Sequence, residues 1–447
     1  MTKEELLELL HGNSNRIAKL HSMFTQMNAV DIAEIFVDTD RDTVIQIFRL
    51  LPKSMAADVF SYIDPDEQQI IIEALTDREV SDIMNKLFVD DAVDMIEEMP
   101  AAVVNRLLQI VPDEKRKQIN QILQYPDDSA GSIMTTEYVE LRESASIIEA
   151  FEHIRTIGIN KETIYTSYVI KPNRLLVGIV SAKGLMLAEP RDTIGHIMKT
   201  NFVFVHTTDD REIVAGLFKK YNLLSMPVVD REQHLVGIIT VDDVMQVIEE
   251  ENTEDFEKMA ALNPSEEPYL KTSVLALTRN RILWLLFLML SATITGGVIA
   301  NFEEALAVLP MLVAFIPMLM DTGGNAGSQT STLIIRGMAL GEISFRDLAL
   351  VWWKELRVGL LCGLGLGLIN YLRIYLMNGK NGILSITVSL SLLITVVMAK
   401  TIGCILPMAA KKLKVDPAIM AAPIITTIVD GASLVVYLSI AKALFRI

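Results

Sequence analysis

The sequence predicts a multidomain chain: an all-α N-terminal helical solenoid, a tandem pair of α/β units, an acidic linker helix and an α-helical membrane domain of five helices. Three observations predict it. A 24-residue repeat runs through residues 30–125, a βαββα pattern follows twice in tandem, and five long apolar stretches fill residues 273–447. The expected boundaries are 1–130 for the solenoid, 131–192 and 193–248 for the α/β units, 249–272 for the linker and 273–447 for the membrane domain.

The solenoid rests on self-similarity. Ala33-Glu-Ile-Phe36 returns as Ala57-Asp-Val-Phe60, as Ser81-Asp-Ile-Met84 and loosely as Asn105-Arg-Leu-Leu108. Leu51, Leu75, Met99 and Leu123 keep the same step, punctuated by Pro52, Pro65, Pro100 and Pro112. Short helix pairs that cannot bury an apolar face alone do so by stacking. The repeat does not set the handedness of the stack.

In the α/β region the first unit holds Ser132-Ile-Met-Thr135, an apolar helix over 145–157 and strands near 165–170 and 175–181. The second begins at Ile197-Met198, with a helix over 211–221 and strands near 226–230 and 235–240. The second ends Gly237-Ile-Ile-Thr240-Val-Asp-Asp243, the first Gly178-Ile-Val-Ser181-Ala-Lys-Gly184. The pair resembles tandem CBS domains. The Gly237, Thr240 and Asp243 pattern is similar to the one by which such domains hold a nucleoside ribose and phosphate. Gly184 stands where the ribose-binding Asp would be in the first unit, so the resemblance implies a single ATP-type site. The competing reading is a helix N-cap by Thr240 or Asp243.

Charge divides the chain. Residues 1–270 carry 25 basic and 48 acidic side chains, net −23, while residues 271–447 carry 15 and 8, net +7; the whole is −16. The front is ill suited to nucleic acid or anionic lipid and well suited to cations. Cys362 and Cys404, both in apolar stretches, make neither a disulfide framework nor a zinc site. The six histidines all precede residue 235, without metal-ligand spacing. The N-terminal MTKEELLELL reads as an acidic amphipathic helix rather than a signal peptide, which keeps the soluble part cytoplasmic.

About 20 apolar residues cross a bilayer. The five stretches are 282–300, 305–335, 347–377, 383–410 and 417–441; the second and third exceed the minimum and predict tilt, kinks or interfacial extensions. With the N-terminus inside, the cytoplasmic flanks carry Lys271, Arg279, Arg281, Arg336, Arg346, Lys354, Arg357, Lys411, Lys412 and Lys414. The outside carries Arg373, Lys380, Lys442 and Arg446, so the balance favours N-in, C-out. The protein is thus expected in the cell membrane as a multi-pass protein contacting lipid.

Asp430 is the only charged residue between Ala418 and Ala441. A carboxylate at membrane depth costs about 3 kcal/mol on insertion scales and usually marks an ion or proton path. Thr426 and Thr427 precede it by four and three residues and share its helical face. The alternative is an Asp sealed in a helix contact by Lys400. Gly359, Gly363, Gly365 and Gly367 read as helix-packing glycines.

The second stretch holds Pro317-Met-Leu-Met-Asp-Thr-Gly-Gly-Asn-Ala-Gly-Ser-Gln329. Glycines and amides at the end of an apolar run suit a wet passage better than a plain span. With this motif, five helices and an acidic soluble front, the chain resembles the MgtE family of magnesium channels. The resemblance implies a homodimer whose pore runs along the twofold axis, lined by Pro317, Gly323, Gly324, Asn325, Gly327 and Gln329. It implies that Asp430 holds the permeating ion, with Asp416 at the cytoplasmic pore entrance. Two carboxylates across an axis suit hydrated Mg²⁺.

The acidic linker contains Glu249, Glu250, Glu251, Glu254, Asp255 and Glu257. Charge alone makes it a solvated helix; the resemblance makes it a plug whose carboxylates share Mg²⁺ with the soluble domains. Position by position, the resemblance implies regulatory metal residues Asp58, Asp90 and Asp94 in the solenoid, Asp210, Glu212 and Asp243 in the second CBS unit, and Glu251, Glu254 and Asp255 in the plug. A one-residue slip between Asp90 and Asp91 stays open. Two carboxylate positions are Asn222 and Gln246 here, which implies weaker ion sites.

The function expected is Mg²⁺ import down its gradient, closed when cytosolic Mg²⁺ bridges the acidic modules, with ATP as a candidate regulator. A proton-coupled divalent-cation carrier and a membrane-anchored CBS nucleotide sensor are the rivals. An enzyme is disfavoured, since no nucleophile–base constellation or phosphate-binding Gly-Lys motif occurs.

Overall fold

The computed structural model describes residues 20–37, 39–265, 269–377 and 381–446. The amphipathic helix expected at residues 1–10 lies outside them. The chain divides into two compact units, the first ending at Ile248 and the second beginning at Glu249.

In the first unit, helices come in pairs: α1 (Ala29–Ala33) with α2 (Arg41–Leu50), α3 (Ala56–Ser61) with α4 (Pro65–Ala74), α5 (Asp77–Met84) with α6 (Val89–Glu98), and α7 (Ala101–Ile110) with α8 (Asp113–Ile122). The even helices start at 41, 65, 89 and 113, so the 24-residue step is a structural period. Leu51, Leu75, Met99 and Leu123 are their C-caps. An apolar residue at this place turns the chain inward and begins the next pair. Local chemistry punctuates the helices: the Asp40 carboxylate accepts from the Thr43 amide at 3.1 Å, and Thr76 and Glu79 form a capping box. Repeat positions also stack edge-on, with Phe36, Phe48 and Phe60 centroids 6.5 and 5.9 Å apart.

After the solenoid come β1 (Glu140–Arg142), α9 (Ile147–Ile157), β2 (Thr166–Ile170), β3 (Leu176–Ser181), α10 (Ala182–Leu187) and α11 (Ile194–Ile197). Then follow β4 (Val205–His206), α12 (Arg211–Tyr221), β5 (Ser225–Val229) and β6 (Leu235–Thr240). Each sheet has three strands, the first pairing parallel and the second antiparallel, so the two βαββα units are copies. They interlock reciprocally. Thr135, ahead of the first unit, bridges Ile238 in the second, and Lys199, ahead of the second, bridges Ile179 in the first. A β-carbon on Gly237 would collide with the Met134 sulfur and the Thr135 carbonyl, and one on Gly178 with the Met198 sulfur. Both glycines admit a close backbone crossing.

α13 (Val241–Met259) leaves β6 directly and carries the acidic linker from the first unit into the second. The second unit continues with α14 (Val274–Asn301), the short α15 (Glu303–Val308), a 3₁₀ turn at Pro310–Phe315, α16 (Ile316–Ala339), α17 (Leu348–Met377), α18 (Gly382–Lys412) and α19 (Ala422–Phe445). The expected second span of 305–335 is therefore broken at Pro310, and its helix begins at Ile316. α18 is the hub, packed by α16, α17 and α19, while α14 buries no side chain. Gly359, Gly363 and Gly367 of α17 are buried, and added β-carbons would meet Val397, Leu393 and Ser389 on α18.

Among the described residues four segments are long and apolar enough to cross a membrane: Val274–Asn301, Phe345–Met377, Gly382–Lys412 and Pro417–Phe445. The chain has the segments of a multi-pass membrane protein. Against an expectation of five, α16 falls outside this set although its 24 residues extend about 36 Å. The cause is its own motif: Asp321, Thr322, three glycines, Asn325, Ser328 and Gln329 dilute the apolar run.

Candidate functional site

The polar motif of α16 has two sides. Gly323, Gly324 and Gly327 are buried, while Pro317, Asp321, Asn325 and Gln329, four residues apart, are exposed along one face. The glycines make contacts no larger residue could. A β-carbon on Gly323 would meet Thr395, Val429 and Ser433; one on Gly324 would meet Thr426; one on Gly327 would meet Ile425 and the Ala399 carbonyl. α16 is thereby pressed against α18 and α19 beside Asp430. Asp430 is half-buried, makes no ion pair among the described residues, and has Asp321 within electrostatic reach. Asp321 did not stand out in the sequence because it was one letter of a glycine motif.

Lys400 does not neutralise Asp430. Its ammonium lies 3.8 Å from Glu355 and 3.2 Å from the Thr330 hydroxyl. The Thr426 and Thr427 hydroxyls both donate to the Pro423 carbonyl, at 3.0 and 2.9 Å, which leaves their oxygens as acceptors.

At the other end of α19, Asp416 caps the turn Pro417–Met420, accepting from the Ala418 amide at 2.8 Å. Its second oxygen accepts from Lys258 of α13 at 2.7 Å, and Lys258 reaches Glu254 at 2.6 Å. Burial and then the Asp416 charge push the Asp255 carboxyl up. Burial works against the Lys258 charge, but hydrogen bonds to Asp416 and Glu254 outweigh it and raise its pKa. Three expected residues, Glu254, Asp255 and Asp416, thus come together around a lysine. The signal for Lys258 was its spacing of four from Glu254.

In the first unit a second cluster forms where α6 faces the CBS units. Asp90 is 7 % exposed, and among the described residues one of its carboxylate oxygens has no hydrogen-bond partner, as is true of one Glu162 oxygen. Burial, then Asp243, Asp91, Glu162 and Glu137, hold the Asp90 carboxyl well above the ordinary carboxylate range. Burial and the Asp243 charge lift Glu162 to about 8; burial lifts Asp91 and Asp243 to about 6. Lys115 sits beside them, lowered by burial and donating to the Leu87 carbonyl. Five carboxylates so gathered, two of them with an unpartnered oxygen among the described residues, suit a hard cation. Among the described residues no group of three or more His, Cys, Asp or Glu side chains is arranged to hold a metal ion.

Asp90 and Asp243 meet in this cluster, and Asp91 joins them. Asp58, at the exposed side of α3, acts on Tyr62, which also feels Asp91 and Asp242. Asp94 is exposed on the outer face of α6. Asp210 accepts from the Glu212 amide at 2.8 Å and caps α12, with Glu212 in its first turn. Glu251 lies on α13 one turn before Asp255. Asn222 ends α12 at φ 50°, a left-handed conformation that Asn adopts more readily than most residues with a side chain. Glu137 and Glu162 were not singled out in sequence because they are distant along the chain from the other acids, and Asp242 was passed over for its neighbour Asp243.

The nucleotide motif shows both of its faces. Thr240 donates from its hydroxyl and amide to Asp243 at 2.6 and 3.3 Å, a local capping arrangement at the start of α13. Gly237 is committed to the Met134 crossing.

Fold and site define an acidic helical and CBS region followed by an apolar helical bundle with a carboxylate, Asp430, inside one of its candidate membrane spans. Family models match much of the chain: the MgtE intracellular N domain at 27–128, CBS domains at 130–190 and 194–250, and the MgtE divalent cation transporter domain at 316–440. The chain is 34% identical over 430 residues to the magnesium transporter MgtE of Thermus thermophilus, covering 96% of this chain and 95% of that one. It is 30% identical over 445 residues to that of Bacillus subtilis, covering 99% and 98%. Residues of the soluble part are similar to the cytosolic domain of the Mg²⁺ channel MgtE solved with ATP, at TM-score 0.50 and 32% identity, covering 55% of this chain and 98% of that one. The soluble part of a magnesium transporter gives TM-score 0.52 at 27% identity, covering 56% and 97%. The chain belongs to the MgtE family of divalent cation transporters.

Proposed function

We propose that this chain is a Mg²⁺ channel of the cell membrane that works as a homodimer and is closed by cytosolic Mg²⁺. The observation that carries the proposal is the exposed polar face of α16, from Asp321 to Gln329, beside Asp430 of α19, which has no ion-pair partner among the described residues. Polar groups at membrane depth require protein or water against them. A second copy across a twofold axis supplies both, with α16 as the fifth crossing helix and the soluble part cytoplasmic. Two Asp430 carboxylates then hold Mg²⁺ through its waters, with Asn325, Gln329 and backbone carbonyls as further acceptors. Asp416 forms the cytoplasmic entrance.

Closure follows from electrostatics. The acidic cluster around Asp90 and Asp243 is costly while its members are ionised and unbridged. Cytosolic Mg²⁺ favours the compact arrangement in proportion to its preference for that state. α13, which begins at this cluster and ends at Asp416, carries the change to the pore entrance. Asp58, Asp94, Asp210, Glu212 and Glu251 belong to the same regulatory set. ATP bound near Thr240 and Asp243 adjusts the response, a role supported by the similarity to an ATP-bound cytosolic domain.

The test is Mg²⁺ flux into liposomes from purified protein, with Mg²⁺ varied separately on each face. Flux that saturates, carries single-channel current and falls when Mg²⁺ bathes the soluble side is expected. Flux that moves protons stoichiometrically and shows no unitary current would replace the channel with a carrier.

A further inference from the structure

Three helices of the second unit meet at one buried polar group. Glu355 of α17 and Lys400 of α18 have side chains only 13% and 8% exposed, at 3.8 Å from each other. Between them lies Thr330 of α16, which donates its hydroxyl to Glu355 at 2.9 Å and accepts from Lys400 at 3.2 Å. Thr330 lies about 14 Å of helix inside the end of α16, and Lys400 about 18 Å inside the end of α18. An ion pair so placed bears a large desolvation cost, and removing one partner leaves an uncompensated charge.

The surroundings make room for it. A β-carbon on Gly359 would come within 3.2 Å of the Val397 Cα, so α17 and α18 approach closely beside Lys400. A β-carbon on Gly403 would collide with the Gly327 backbone, so α16 and α18 approach closely one turn from the triad. The next residue, Ser331, donates to the Met420 carbonyl at 2.9 Å, in the turn that leads to α19. Successive side chains of a helix point about 100° apart, so bonds from both Thr330 and Ser331 fix the rotation of α16 about its axis. Gln329 and Asn325, on the exposed face, inherit that rotation.

We infer that Thr330, held between Glu355 and Lys400, is a positioning residue that sets the rotation of α16 and hence the aim of Asn325 and Gln329 at the permeating cation. The inference rests on the proposal that this face lines the ion path. A purely architectural triad would change how much protein folds; a positioning triad changes how the ion is held.

The experiment compares wild type, Thr330→Val, Thr330→Ser and the charge-exchanged pair Glu355→Lys/Lys400→Glu of the full chain in liposomes, normalised to folded protein by thermal melting. Thr330→Val is expected to keep its melting temperature within a few degrees while shifting the half-saturating Mg²⁺ concentration about threefold to tenfold, the worth of one lost hydrogen bond. It should also weaken preference for Mg²⁺ over Ca²⁺, and Thr330→Ser should restore both. Unchanged half-saturation and ion preference in Thr330→Val overturn the inference. So does a variant whose maximal flux alone falls with the folded fraction. Should Thr330→Val not fold, the charge-exchanged pair decides by the same two readouts: altered ion preference supports the triad, wild-type values overturn it. Absence of flux in wild type overturns the channel proposal instead, and loss of flux in Asp430→Ala marks that proposal as standing.

Discussion

The Lys258 ammonium stands 2.7 Å from one oxygen of Asp416 and 2.6 Å from Glu254, so an internal cation bridges the linker helix α13 and the cap of the turn before α19. The Asp416 carboxylate is used twice, by Lys258 and by the Ala418 amide at 2.8 Å. Asp255 adds a third acidic group to the same place. A helix that ends in acids is thereby held against another acid, which without the lysine would repel it.

Lys258→Met removes that bridge and leaves Glu254, Asp255 and Asp416 facing each other. A partly exposed pair of this kind contributes about 1 kcal/mol, roughly a fivefold change in an equilibrium. The variant should require a several-fold higher cytosolic Mg²⁺ concentration for half-closure in patch recordings. An unchanged half-closing concentration would remove Lys258 from the gate.

Asp430→Ala and Asp430→Asn should each abolish Mg²⁺ uptake while the protein still melts cooperatively, because the carboxylate has no ion-pair partner among the described residues whose loss would disturb folding. Uptake at wild-type rates by either variant in Mg²⁺-starved cells would contradict its role in the pore.

The first unit should respond to pH and Mg²⁺ together. Asp91 and Asp243 are raised to about 6 and Glu162 to about 8 by burial. Their unfolded values lie near 4, so the protonated cluster favours the compact state fully below that, and the advantage is lost as pH rises through 6 to 8. Added Mg²⁺ should therefore raise the melting temperature more at pH 8.5 than at pH 5.5. Equal increments at both would count against cation bridging.

Asp90→Asn removes the most deeply buried of these carboxyls, the one that burial and its acidic neighbours make costly to ionise. In Mg²⁺-free buffer it should stabilise the full chain by about 1–3 kcal/mol. The same change should reduce the additional stabilisation that Mg²⁺ gives. A melting curve lower than wild type without Mg²⁺ would mean that Asp90 is ionised and already satisfied.

Glycines in the membrane unit should divide sharply. Gly403→Ala drives a methyl into the Gly327 backbone and should cost about 1–3 kcal/mol or more, seen as lower yield and melting temperature. Gly365→Ala meets nothing within 4 Å and should be neutral or stabilising, since Ala is the better helix former.

The solenoid was legible in the sequence because its period is local: Leu51, Leu75 and Met99 each close one helix and bury beside it. The βαββα order was legible for the same reason, with strands within a residue or so of expectation. Asp430 stood out because a lone acid in an apolar run has a visible cost, whereas Asp416 was named only through the family resemblance. Glu162, Asp242 and Lys258 did not stand out, since each owes its importance to neighbours far along the chain. Lys400 entered the sequence reading only as the alternative partner that would seal Asp430 in a helix contact, and packing places it against Glu355 instead.

By itself the sequence determined the parts of this protein: the repeat, the two CBS units, the acidic linker, the apolar helices and the lone carboxylate of the last apolar stretch. Periodicity and composition carry these because they depend on neighbours within a few turns. Only the tertiary structure decided which charges meet. Lys258 lies between Glu254 and Asp416, Lys400 against Glu355, and Asp90 among acids with an oxygen unpaired. The physical reason is that Coulomb energies depend on distance and burial, which chain order does not contain.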